Sequence, residues 1–266
     1  MTEFQYETPW EVTDIDSCAF YHFMDLPGIG EVGDQWDLRK TIDDYFGQFD
    51  FSGKRALDVG AASGFLSFEM EKRGASVVSF DIITGGDWNF VPFVHPEFDS
   101  EGLVNELETH ITQIKNAYWC THRILKSKAK VYYGDIYNIP DQLGQFDVVM
   151  FGMVLPHLRD PFLALQSASR LSRDWVIITQ QAMNMPEPIM FFMPDRKKSS
   201  DPLAWWLMSD NCVTRMLGVL GFKIESISRE HHYCYVRKRS EECTTYIARR
   251  IEPSNPLIPL AINLDK

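Results

Sequence analysis

The sequence predicts an α/β domain: a mostly parallel sheet of seven strands with helices on both faces. Three observations carry this. Apolar runs of strand length recur at 56–59, 76–80, 131–133, 146–155 and 175–179, as inner strands covered on both faces require. Between two of them Leu103, Leu107, Ile111, Ile114, Tyr118 and Leu125 fall near a 3.6-residue spacing, which makes 103–126 a long amphipathic helix. The first run also enters a turn of small residues, Gly60-Ala61-Ala62-Ser63-Gly64, with Phe65 and Phe68 continuing at helical spacing. A strand, a glycine turn and a helix in that order open a Rossmann-like, doubly wound sheet.

Composition bounds what such a domain does. The chain has 266 residues, 45% hydrophobic and 24% charged, enough for one large domain with a well-buried core. Its net charge of −11 comes from 26 basic and 37 acidic residues. That argues against a broad nucleic-acid or membrane surface. The five cysteines, Cys18, Cys120, Cys212, Cys234 and Cys243, show no zinc-ligand spacing and read as reduced thiols of a cytoplasmic protein. Residues 1–10 lack a secretory pattern, and no apolar run reaches the length of a membrane span. Nothing in the sequence sets the oligomeric state.

Residues 1–50 form a leader rich in aromatics, with a turn cluster at Asp25-Leu26-Pro27-Gly28-Ile29-Gly30 and a short helix expected over 41–49. Most of its aromatics read as packing. Tyr21 and His22 are the exceptions, because a phenol beside an imidazole can hold a substrate hydroxyl. Residues 51–250 make the main domain, with insertions at 82–126 and 180–208 and a tail at 251–266. The second strand, Ser76 to Phe80, ends in Asp81. An acid there can take both hydroxyls of a ribose. The stretch 82–102 is a long, aperiodic loop with Trp88 in it. Trp88 either covers a ligand's flat face or packs the loop onto the sheet. Gly134-Asp135-Ile136 follows the third strand and Gly152-Met153 the fourth. Asp160-Pro161 caps a helix expected over 161–172. His157 then stands just past a central strand, where open α/β sheets place ligands. Residues 180–206, with Arg196, Lys197, Lys198, Trp205 and Trp206, read as an acceptor-side lid. A helix over 209–220 and strands near 222–227 and 244–250 complete the chain; residues 231–236 either extend the first of these strands or stand apart.

Asp58-Val59-Gly60-Ala61-Ala62-Ser63-Gly64 resembles the first motif of class I S-adenosylmethionine-dependent methyltransferases, with Ala62 at the family's middle glycine. The resemblance implies S-adenosyl-L-methionine as cofactor. It implies contacts from Asp58, Gly60, Ala61 and Gly64, ribose binding by Asp81 with Ile82 beside it, adenine binding by Asp135 and Ile136, and further contacts from Gly152 and Met153. It extends over about residues 20–250, through the leader, Phe146 to Pro161 and Trp205-Trp206 to Phe222. There it is similar to the group related to the tRNA wobble-uridine carboxymethyltransferases. Those enzymes hold a carboxylated cofactor partly through a tyrosine before the histidine; here that place is Pro156. The implied reaction is therefore transfer of an ordinary methyl group, most simply to oxygen of a small molecule such as a secondary metabolite or a sugar precursor. Methyl or carboxymethyl transfer to tRNA, and cofactor binding without transfer, are the competing readings. An oxygen acceptor wants a base, and His157 is the candidate, with local packing as the plainer reading. Trp205, Trp206 and Trp88 would wall the acceptor. No metal constellation is evident.

Overall fold

The computed structural model describes residues 4–94, 98–195 and 203–254. His95 and Pro96, the basic run at 196–198 and the tail from residue 255 lie outside them. The leader contributes β1 (Met24–Leu26), β2 (Gly30–Val32), β3 (Trp36–Asp37) and α1 (Ile42–Tyr45). The main domain runs β4 (Arg55–Val59), α2 (Phe65–Lys72), β5 (Ser76–Asp81), α3 (Ser100–Leu125), β6 (Lys130–Tyr133), β7 (Phe146–Gly152), α4 (Pro161–Ser169) and β8 (Ser172–Gln180). It continues with β9 (Ala182–Met183), β10 (Met190–Phe192), β11 (Trp206–Ser209), α5 (Asp210–Val219), β12 (Phe222–Cys234) and β13 (Arg239–Arg250).

The main sheet has the order β3-β12-β13-β8-β7-β4-β5-β6. The strands from β8 to β6 pair in parallel, while β13 and β12 run antiparallel to their neighbours. The chain passes from β4 outward to β6 and then returns to β7 on the other side. The strand order therefore reverses between β4 and β7, and a crevice opens at their carboxyl ends. One core cluster, with Leu66, Met150 and Ile177, lies on the face covered by α2, α3 and the leader. The other, with Val59, Phe151 and Ile178, lies under α4 and α5. Successive residues of β7 and β8 alternate between the two clusters, which is why these strands read as unbroken apolar runs.

The expected seven strands are eight among the described residues of this sheet. The added one is β3, two residues of the leader that pair with Tyr233 and Cys234. No periodicity could announce so short a strand. The helix expected over 161–172 stops at Ser169, because Ser172 already pairs with Phe146 and starts β8. The last strand begins at Arg239, five residues before the expected Thr244. It forms a long hairpin with β12, which does extend through residues 231–234. The expected lid folds as a separate small sheet of order β10-β11-β9. No helix among the described residues is long and apolar enough to cross a membrane.

Candidate active site

The site begins with the turn after β4. Gly60 and Ala61 donate their N–H groups to the Phe80 carbonyl at 2.8 and 3.2 Å, so the turn crosses the end of β5. Gly60, Ala62 and Gly64 all have positive φ. For Ala62, at φ 47°, this conformation costs about 1–2 kcal/mol. Its N–H donates to Asp81 Oδ2 at 2.6 Å, and a bond to a charged acceptor offsets a cost of that size. Gly60 has a second reason to be glycine: a β-carbon there would stand 2.4 Å from Val154 Cγ2. Gly64 caps α2 without a side-chain hydrogen bond. The first amides of that helix are therefore not covered by a capping side chain.

Asp81 has two tasks. Besides Ala62 it accepts from the Ile82 N–H at 2.7 Å through Oδ1. Each carboxylate oxygen retains a second lone pair, and the side chain is only partly buried, so hydroxyls can still approach it. Burial raises its pKa, and the two backbone bonds oppose that. Asp135 is exposed at the end of β6, its Oδ1 accepting from Tyr137 N–H at 2.9 Å. Gly152 and Met153 are partly exposed where β7 ends, and Met153 donates its N–H to the Thr179 carbonyl at 2.8 Å.

Two residues expected to contact the cofactor are buried. Asp58 is fully buried. Its Oδ2 accepts from Ser67 Oγ at 2.6 Å, Ser67 meets Ser79 at 2.7 Å, and Ser79 meets the Tyr118 hydroxyl at 2.8 Å. Desolvation pushes its carboxyl up to about 7. It braces the turn from beneath and presents no surface to a ligand. Ile136 is 6% exposed and packs into the cluster under α4 and α5.

The leader lies across the turn. Tyr21 N–H donates to Ser63 Oγ at 3.1 Å, and the His22 ring stacks on Phe65 at 5.3 Å. Burial lowers the His22 pKa to about 3, so the ring is neutral at working pH, and its Nδ1 has no partner among the described residues. Burial pushes the Tyr21 phenol up to about 12. Tyr21 and His22 thus stand together, edge to face at 5.0 Å, over the first motif.

His157 closes a 3-10 turn (Leu155–His157) after β7. Its Nδ1 lies 2.6 Å from the Leu203 carbonyl. A carbonyl only accepts, so Nδ1 carries the proton, and in the neutral ring Nε2 carries the lone pair. The lid is stitched to the same turn: Trp205 N–H donates to the Pro156 carbonyl at 2.9 Å.

The tryptophans separate by role. Trp205 is 4% exposed, and its indole N–H donates to the Asn89 carbonyl at 2.7 Å. It bolts the lid to the 82–94 loop and is nearly buried. Trp206 is partly exposed, beside Phe192 at 5.4 Å, with its indole N–H reaching the Arg159 carbonyl at 3.4 Å. Trp88 is partly exposed at the end of a 3-10 turn (Gly85–Asp87). Asn89 was not singled out by its sequence pattern. Its side chain accepts from the Tyr137 hydroxyl and from Arg159 N–H, so one residue joins loop, lid and the turn after β6. Only a preference of amides for bridging roles could have flagged it. A cavity of about 930 Å³ lies elsewhere, among Ser76, Arg73, Lys126 and Asp25 at the amino end of β5; size alone does not locate this site.

Comparison with known proteins agrees with this architecture. A magnesium protoporphyrin IX methyltransferase from Synechocystis PCC 6803, solved with bound S-adenosylmethionine, is 14% identical at a TM-score of 0.50, over 80% of this chain and 78% of that one. A methyltransferase of Methanosarcina mazei, described as S-adenosylmethionine-dependent, is 15% identical at 0.52, over 80% and 97%. A 1,6-didemethyltoxoflavin-N1-methyltransferase of Burkholderia thailandensis is 11% identical at 0.50, over 80% and 78%. These likenesses show a shared class I methyltransferase fold. No curated protein matches the sequence. The model of a methyltransferase domain matches residues 35–216, well over half of the chain, and the protein therefore belongs to the methyltransferase-domain family.

Proposed function

We propose that the protein transfers a methyl group from S-adenosylmethionine to an oxygen of a small-molecule acceptor, with His157 as the base. The residues present fit that cofactor. A partly exposed carboxylate, Asp81, stands at the end of the second parallel strand. Asp135 stands on the neighbouring strand end, and the α2 amides above the glycine turn lack a capping side chain. When bound, the cofactor supplies an activated methyl group on a sulfonium. The protein's share is to bind, align, exclude water and accept the acceptor's proton.

The observation that carries the base assignment is the bond between His157 Nδ1 and the Leu203 carbonyl. It fixes the tautomer and holds Nε2 ready to receive a proton from a hydroxyl or enol. Tyr21 and His22 supply neutral polar contacts from the leader. Trp206 and Trp88 supply partly exposed aromatic surface, and the lid and leader roof the exit of β7. Within the family, the similarity of Phe146 to Pro161 supports a place near the wobble-uridine carboxymethyltransferases. Pro156 offers neither hydroxyl nor charge to a carboxylated cofactor, and the net charge of −11 disfavours tRNA.

The test is a screen of hydroxylated small molecules with S-adenosylmethionine, reading release of S-adenosylhomocysteine. Turnover on a hydroxyl acceptor, abolished in His157→Ala, supports the reading. Cofactor binding without turnover on any acceptor would identify a binding protein instead. Tighter binding of the carboxylated cofactor than of the ordinary one would overturn the choice of methyl donor.

A further inference from the structure

Tyr45, the last residue of α1, carries a hydroxyl that pairs with no described residue. The residue is 3% exposed. Its backbone carbonyl accepts from Thr179 Oγ1 at 2.7 Å and Thr245 Oγ1 at 3.2 Å. Its ring lies edge to face with His232 at 5.1 Å. The residue is thus clamped from three sides. The hydroxyl itself makes no hydrogen bond among the described residues, and burial holds the phenol protonated. The oxygen is not one of the buried polar atoms that lack a partner, so it touches solvent although the residue is nearly buried, and its outlet calls for an explanation.

The position of the hydroxyl supplies one. It lies 3.3 Å from where a β-carbon on Gly152 would stand. Gly152 ends β7 and is partly exposed, so the phenol oxygen lies, beside Leu66 Cδ1, against a residue with no side chain at the carboxyl end of β7. Asp135 lies two residues beyond β6, Asp81 ends β5 and Gly60 follows β4. A cofactor with adenine at the first and ribose at the second has its sulfonium and amino-acid portion left for the exit of β7.

We propose that Tyr45 is a cofactor-binding residue whose hydroxyl oxygen faces the sulfonium, a role that rests on S-adenosylmethionine being the cofactor. An oxygen lone pair and an aromatic ring both favour an adjacent cation. The demethylated product carries a neutral thioether in the same place. Tyr45 should therefore discriminate between the two, which a packing residue would not do.

Calorimetry on wild type and Tyr45→Phe with each of S-adenosylmethionine and S-adenosylhomocysteine tests this. Phenylalanine keeps the ring and its contacts, and thermal melting confirms that the variant is folded. The expected result is about a tenfold loss of affinity for S-adenosylmethionine with less than about a twofold change for the product. Equal losses for both, or no change in either, would overturn the inference while leaving the cofactor reading intact. Failure of wild type to bind either molecule would overturn the cofactor reading, and this inference with it.

Discussion

The two halves of the crevice are built differently. The half above β4, β5 and β6 is made of residues close in sequence. Ala62 and Ile82 bond to Asp81, and Tyr137 bonds to Asp135. The half above β7 is made of residues far apart. His157 is oriented by Leu203, Trp205 is bolted to Asn89, and Tyr45 is clamped by Thr179 and Thr245. A local turn recurs as a motif because its backbone conformation needs particular residues at fixed spacing. A roof assembled from distant side chains has no such spacing.

If the halves are separable, His157→Ala gives the largest effect on chemistry and almost none on cofactor affinity. We expect kcat to fall by roughly 10²–10⁴-fold with the dissociation constant of the cofactor nearly unchanged. Steady-state kinetics on an acceptor found by the screen, together with calorimetry, would show it. A loss confined to cofactor binding would mean that His157 only packs.

Asp58 sharpens the comparison from below. Its carboxyl titrates at about 7 in the fold, against about 3.9 in an unfolded chain. The folded chain therefore keeps a proton that the unfolded chain releases. The stability this confers is complete below about pH 4 and is lost as pH rises through 7. Asp58→Asn keeps the bond to Ser67 and removes the buried charge. Its advantage should grow with pH, to about 2–4 kcal/mol at pH 8, as read from denaturation curves at pH 5 and 8. A pH-independent difference would contradict the assignment.

Trp205→Phe keeps an aromatic ring but removes the indole N–H from the Asn89 carbonyl. It should cost about 1–2 kcal/mol and raise hydrogen exchange in the lid and the 82–94 loop together. Exchange rising in the lid alone would show that the two are not coupled. The smallest effect is expected at Ala62. Its φ of 47° suits glycine, so Ala62→Gly should stabilise the fold by about 0.5–1 kcal/mol with cofactor affinity retained.

The same division explains what the sequence disclosed. Strands β4, β5, β7 and β8 were legible because both faces of each are largely buried and their apolar runs are nearly continuous. Asp81 and the Gly60 turn were legible because the chemistry of that turn is local. Asp58 holds its place in the motif, yet its carboxylate is buried against Ser67 in the first turn of α2. Trp205 and Trp206 are adjacent in sequence, yet Trp205, just before β11, is buried and Trp206, its first residue, is partly exposed. Asn89 and Tyr45 act through residues 48 or more positions away, and no window of sequence holds both partners.

The most direct test of the account is the affinity of S-adenosylhomocysteine for wild type, Asp81→Ala and His157→Ala, measured by calorimetry under one condition. We predict that wild type binds and that His157→Ala stays within about twofold. Asp81→Ala should lose at least about tenfold, since each hydrogen bond to a charged acceptor is worth about 1.5–3 kcal/mol. Unchanged affinity in a folded Asp81→Ala variant, or an equal loss in His157→Ala, would contradict the separation of the cofactor half from the acceptor half.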